Sequence, residues 1–145
     1  LATQIILGLI FGITIAVLVL FVLFKASFFA HLRKFIKEIL GQIRPTGFDM
    51  LLIALFAGFG EELFFRATLQ PALGLWLTSA LFALGHVGIS FSPAKLAFGG
   101  FVFAMSLLLG TIYERSGLIA AIVLHAVYDL TFLLAVKKVL HTSRP

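Results

Sequence analysis

Five stretches of this chain, at about 3–24, 48–69, 73–91, 95–113 and 117–136, approach the roughly 20 apolar residues a helix needs to cross a bilayer. Hydrocarbon offers a backbone no hydrogen-bond partner, so such a chain must satisfy its peptide groups within helices. Composition agrees: 61% of the 145 residues are hydrophobic and 12% are charged, where a soluble domain is about half apolar and a quarter charged. The pattern predicts an all-α, polytopic transmembrane bundle of about five spanning helices. The length suits one compact bundle. The first stretch has no basic segment before it and no small-residue cleavage site after it, so it reads as an anchor and not a signal peptide. The chain opens on Leu1 and so reads as a fragment or a processed form.

Between the first two stretches, Leu32, Phe35, Ile36, Ile39 and Leu40 recur at helical spacing, with bases mostly on the other face. This predicts a short amphipathic helix lying on the membrane surface. Gly41, Pro45 and Gly47 then break it. The organisation expected is residues 1–44 as anchor and basic loop, and 45–145 as a four-helix membrane core. Lys25, Arg33, Lys34, Lys37, Arg44, Lys95, Lys137, Lys138 and Arg144 all fall on one side of a five-span chain, and only Arg115 and Arg66 lie towards the other. The positive-inside rule then places the N-terminus outside and the C-terminus in the cytoplasm, in a plasma (inner) membrane. These bases read as topology signals and contacts to membrane lipid, not as a nucleic-acid surface. The absence of cysteine excludes disulfides, a thiol nucleophile and Cys-ligated metal.

Several ionisable residues nevertheless sit inside the apolar stretches: Glu61, Glu62 and Arg66, then His86, then His125 and Asp129. Each charge at a helix centre costs roughly 2.5–3.5 kcal/mol on insertion scales. Adjacent Glu61 and Glu62 point about 100° apart on a helix and cannot share one site. Glu62 precedes Arg66 by four residues, the favoured order for a pair on one face, so Glu62 is the expected structural partner of Arg66. Glu61 then faces the interior, with small Ala54, Ala57 and Gly58 below it allowing close approach of a helix or a cavity.

Glu61 and His86 lie about equally far from a turn at 71–74, near 18–20 Å along a helix at 1.5 Å per residue. An antiparallel hairpin would bring them level. His125 and Asp129 share a face of the last helix and enter from the other end at similar depth. Three helices therefore converge on one buried polar site, with Phe82 packed one turn below His86. Such a site suits hydrolysis, because a carboxylate in a water-poor setting serves as general base and His can share its proton or donate to an oxyanion. Glu61, His86 and His125 also make a three-ligand set for zinc with an open fourth position. The residues alone leave the glutamate and metal routes both open.

Glu61-Glu62-Leu63-Phe64-Phe65-Arg66 resembles the E-E-x-x-x-R motif of the CPBP (Abi) family of intramembrane proteases, which includes CAAX proteases and bacteriocin-processing proteins. Phe82 to His86 resembles its F-x-x-x-H motif, and His125 to Asp129 its H-x-x-x-N or H-x-x-x-D motif. Tyr113 to Gly117 resembles the loop that precedes the third. The resemblance implies an endopeptidase acting on a membrane-associated or prenylated peptide. Glu61 would be the base, His86 its partner, and His125 with Asp129 the oxyanion side. Glu62 and Arg66 would hold the site. The glutamate route needs no cofactor; zinc is the alternative. Asp129 stands where Asn is commoner, so it must be protonated, orient His125 or bind metal.

Each feature also has a plainer reading. A lone intramembrane His is usually an interhelical hydrogen bonder, and Glu114 with Arg115 reads as solvated loop. His31 and His141 carry no signal. Two competing functions follow: a non-catalytic bacteriocin-immunity or scaffold protein of the same fold, and a proton conductor. The second is disfavoured because the ionisable groups lie at one level and form no ladder.

Overall fold

The computed structural model describes residues 1–26, 29–43, 45–88 and 92–142. Arg44, Phe91 and Arg144, and the side chains of His31, Leu32, Phe35, Lys37, Ile39, Leu40 and His141, lie outside the described residues. Among those described, the chain is all helix with no strand: α1 (Ala2–Lys25), α2 (Ala30–Ile43), α3 (Gly47–Glu61), a π-helical segment (Glu62–Leu69), α4 (Gln70–Val87), α5 (Pro93–Ser116) and α6 (Leu118–Thr142). Among the described residues, three helical stretches are long and apolar enough to cross a membrane: Ala2–Lys25, Lys95–Ser116 and Leu118–Val139. The remaining two apolar stretches form one hairpin, α3–π–α4, which carries Asp49, Glu61, Glu62 and Arg66.

Local chemistry sets the boundaries. Thr46 caps α3: its hydroxyl accepts the Asp49 N–H at 3.1 Å, and the Asp49 carboxylate accepts the Thr46 N–H at 2.8 Å, a reciprocal capping box. Ser92 caps α5 with Pro93 behind it, where a missing N–H costs nothing. The hairpin break expected over 71–74 narrows to Gly74 alone. Its φ of 76° lies in a region that side-chain-bearing residues avoid, while Pro71 stays in helix. Gly117, at φ 90°, likewise turns α5 into α6 within one residue.

Small residues govern the packing. Gly8, Gly12 and Ala16, spaced four apart, form the buried stripe of α1 against α6. A Cβ at Gly8 would meet Val123 and Ala120, and one at Gly12 would meet Leu124 and Val127. The two contacts advance together, so α1 and α6 run parallel. Gly58 approaches Ile122 and Ala126 on α6, while Lys137 near the other end of α6 donates to the Pro45 carbonyl at 2.9 Å. α3 is therefore antiparallel to α6. Without a hydrophobic drive between helices in lipid, such close backbone approach is a main source of association.

This makes Gly58 a sensitive position. A Cβ there would lie 2.9 Å from the backbone N of Ala126 and 3.0 Å from the carbonyl O of Ile122, neither of which is a movable side chain. Gly58→Val is expected to lower stability by about 1–3 kcal/mol through overpacking. Unfolding in mixed micelles measures it, and an unchanged midpoint counts against this packing account.

At the basic end, Arg33 of α2 donates to the carbonyls of Leu23, at 2.6 Å, and Ala26, at 2.8 Å. It thereby adds a donor to carbonyls at the end of α1, one of which, that of Ala26, also accepts the Phe29 N–H. The contact ties the amphipathic segment to the bundle.

Candidate active site

Glu62, Arg66 and His125 form a fully or nearly buried polar centre. Arg66 Nε donates to Glu62 Oε2 at 3.0 Å, as the i,i+4 spacing led us to expect. The other Glu62 oxygen, Oε1, accepts from His125 Nδ1–H at 2.8 Å. Spacing did not disclose that bond, which joins residues 63 apart in the chain. Glu62 is thus the joint between the first and third motifs, with both carboxylate oxygens committed.

Glu61 points elsewhere. Its Oε2 lies 3.7 Å from His86 Nε2, so the hairpin does bring these two residues level. That oxygen is buried and has no hydrogen-bond partner among the described residues. His86 Nδ1 sits 2.8 Å from the carbonyl of Phe82. A carbonyl only accepts, so Nδ1 carries a proton, and in the neutral ring Nε2 turns its lone pair towards Glu61. Phe82 stacks on the His86 ring with centroids 4.4 Å apart. Its ring also lies 5.2 Å from the Arg66 guanidinium carbon, within cation–π range, and Phe65 meets it edge-on at 4.8 Å. Phe82 therefore touches both halves of the site.

His125 Nε2 faces Asp129 Oδ2 at 3.5 Å. The ring thus lies between two carboxylates, hydrogen-bonded to Glu62 and close to Asp129. The zinc set expected from sequence, Glu61, His86 and His125, is not drawn into a metal-sized cluster. Among the described residues, no three His, Cys, Asp or Glu side chains are.

Glu61, Phe82, His86, His125, Tyr128 and Asp129 line one cavity of about 490 Å³. The rest of its wall is apolar. Leu18, Val19, Val22 and Leu23 come from α1, Ile36 from α2, and Phe98, Phe101 and Met105 from α5. α1, read from sequence as an anchor, is thus a wall of the cavity. The four-residue spacing of Gly8, Gly12 and Ala16 was the available signal for that packing.

Beyond the motifs, Arg66 Nη2 donates to Ser106 at 2.9 Å and Nη1 approaches Gln70 Oε1 at 3.5 Å. Gln70 in turn donates to the Gly110 carbonyl at 3.1 Å and to Glu114 Oε1 at 2.8 Å. Glu114 is exposed, as a solvated residue would be, but it lies in helix and not in the loop expected, and it accepts a hydrogen bond. α5 continues to Ser116, and the buried Gln70 amide needs its acceptor.

A family model described as type II CAAX prenyl endopeptidase Rce1-like matches residues 44–131, a segment containing all three motifs. A Bacillus subtilis (strain 168) protein, named uncharacterized protein YpbD, is 34% identical over 84 residues, covering 57% of this chain and 43% of that protein. The chain thus spans less than half of that relative's length. No solved structure matches the chain.

Proposed function

We infer that this chain, which belongs to the type II CAAX prenyl endopeptidase Rce1-like family, is an intramembrane endopeptidase that hydrolyses a peptide bond of a membrane-associated or lipidated protein. The observation that carries the reading is the pairing of an unpartnered Glu61 oxygen with the His86 Nε2 lone pair, 3.7 Å apart beside a cavity. Both residues line the cavity, and a water admitted from it between the Glu61 carboxylate and the neutral His86 ring would meet an acceptor on each side. Glu61 takes a proton as water oxygen attacks the scissile carbonyl carbon. The C–N bond then breaks, and the proton passes to the leaving amine from Glu61 directly or by way of His86. His125 is held at Nδ1 by Glu62; its Nε2, 3.5 Å from Asp129 Oδ2, is too far for a full hydrogen bond there and turns its N–H to the oxyanion when substrate enters.

The apolar wall supports a substrate that brings hydrocarbon with it, as a lipid chain or a membrane segment. The protein is an integral membrane protein. In our reading the α3–π–α4 hairpin adds two passes to the three apolar helices, and the basic end that holds α2 faces the cytoplasm. The N-terminus is then outside.

The test is reconstitution of purified protein with a farnesylated peptide and a membrane-tethered unmodified one, with fragments identified by mass spectrometry. Wild type is expected to cleave, and Glu61→Ala and His86→Ala are not. Equal cleavage by all three rejects the proposal, while partner binding that survives Glu61→Gln without any cleavage supports the scaffold reading. The cavity wall gives a separate prediction. Val19→Trp fills space on α1 and is expected to lower kcat/KM for the lipid-bearing peptide by roughly tenfold or more, an effect of the size that pocket-filling changes produce. Michaelis–Menten curves check it, and an unchanged KM would remove α1 from substrate binding.

A further inference from the structure

We propose that Ser106, Gln70 and Glu114 are positioning residues for the His125 end of the site, acting through Arg66 and Glu62. Ser106 and Gln70 lie outside the motifs, and Glu114 falls in the Tyr113–Gly117 stretch at the end of α5, to which no site role was attached. The inference rests on reading His125 as part of a catalytic site, but its geometry stands independently.

A guanidinium carries five N–H donors in a rigid fork and no acceptor. Arg66 is fully buried, so its donors need partners, and each of its three nitrogens has one. Nε is spent on Glu62, Nη2 on Ser106 and Nη1 on Gln70. Ser106 is itself fully buried, and Gln70 is 4% exposed. The Gln70 amide oxygen faces Arg66 because its nitrogen is claimed by the Gly110 carbonyl and Glu114. This fixes which way the amide points. Glu114, at the far end of α5, thereby sets the sense of a chain that runs inward through Gln70, Arg66 and Glu62 to His125 Nδ1.

A planar fork held at three corners has one orientation. Removing the Ser106 hydroxyl frees one corner and leaves a buried donor unmet, so the fork turns to seek another acceptor. Glu62 Oε2 follows the fork, and His125 Nδ1 follows Oε1. The ring nitrogen that faces the cavity, Nε2, is then re-aimed without any change in what lines the cavity.

The experiment uses the full chain in nanodiscs with 15N-labelled histidine, the His125 signals being assigned by their loss in His125→Gln. Ser106→Ala and Gln70→Leu are each expected to move the His125 Nδ1 resonance and to lower kcat about tenfold, as supporting partners of catalytic groups do, with KM unchanged. Ser106→Thr, which keeps the hydroxyl, should restore both. The exchange Gln70→Glu with Glu114→Gln, which retains a carboxylate–amide pair, should recover more of the His125 signal than Gln70→Glu alone. A His125 resonance identical to wild type in both Ser106→Ala and Gln70→Leu overturns the proposal. So does a change spread equally over all four histidines, the mark of general loosening. If the resonance moves in a protein that cleaves nothing, the positioning chain stands and the protease reading falls.

Discussion

Glu61→Gln is expected to reduce peptide hydrolysis by roughly 10²–10⁴-fold, the usual contribution of a positioned general base. The substitution keeps shape and removes only the ability to take a proton. Folding should be untouched, because the Oε2 atom of Glu61 makes no hydrogen bond to a described residue. Nor does the adjacent carboxylate offer a substitute. Glu62 is fully buried, with one oxygen held by Arg66 and the other by His125. Single-turnover cleavage of a saturating reconstituted peptide isolates the chemical step. A rate within about threefold of wild type, well short of a general base's usual share, would remove Glu61 from the role of base.

The second large effect concerns stability. Arg66→Met strips the guanidinium from a buried pair whose members are both fully inaccessible. The side-chain volume is largely kept, so the loss is electrostatic. Glu62 retains only the His125 contact, and Ser106 and Gln70 lose the donor they face. Breaking one side of a buried pair costs about 3–5 kcal/mol, because the remaining charge stays desolvated. Steric-trap or denaturant unfolding in bicelles measures it. The double variant Glu62→Gln with Arg66→Met should recover a substantial part, as coupled partners do. Should Arg66→Met lose under about 1 kcal/mol, the pair is worth no more than an exposed one and the brace is misassigned.

Much of this arrangement was legible because membrane helices are read by length and level. The equal distances of Glu61 and His86 from Gly74 placed them side by side, and the pair stands 3.7 Å apart. The i,i+4 order of Glu62 and Arg66 likewise gave a bond found at 3.0 Å. What escaped were contacts that no period encodes. Ser106 is one hydroxyl in an otherwise apolar turn, and nothing in its neighbours marks it as the partner of a residue 40 positions away. Glu114 sits beside Arg115 near a glycine, which is how a solvated loop reads, yet it accepts from a buried amide. The π-helical stretch was invisible for a different reason. Its residues are ordinary helix formers, and reasoning at 100° per residue assumes the α-helical pitch from the outset.

That stretch has a consequence for how the chain tolerates change in length. A helix that closes i→i+5 bonds, as the Gln70 N–H does to the Phe65 carbonyl, turns less per residue than an α-helix and so accumulates a phase lag. Everything after residue 61 is dialled back relative to α3. Glu61 keeps one azimuth, while Glu62, Arg66 and Gln70 come into line on another, aimed at α5 and α6. Removing a single residue between 63 and 65 would let the segment relax to regular α-helix. It would also desynchronise the two faces, so that a shorter, locally better-bonded chain would no longer present a base to the cavity and a brace to the bundle at once.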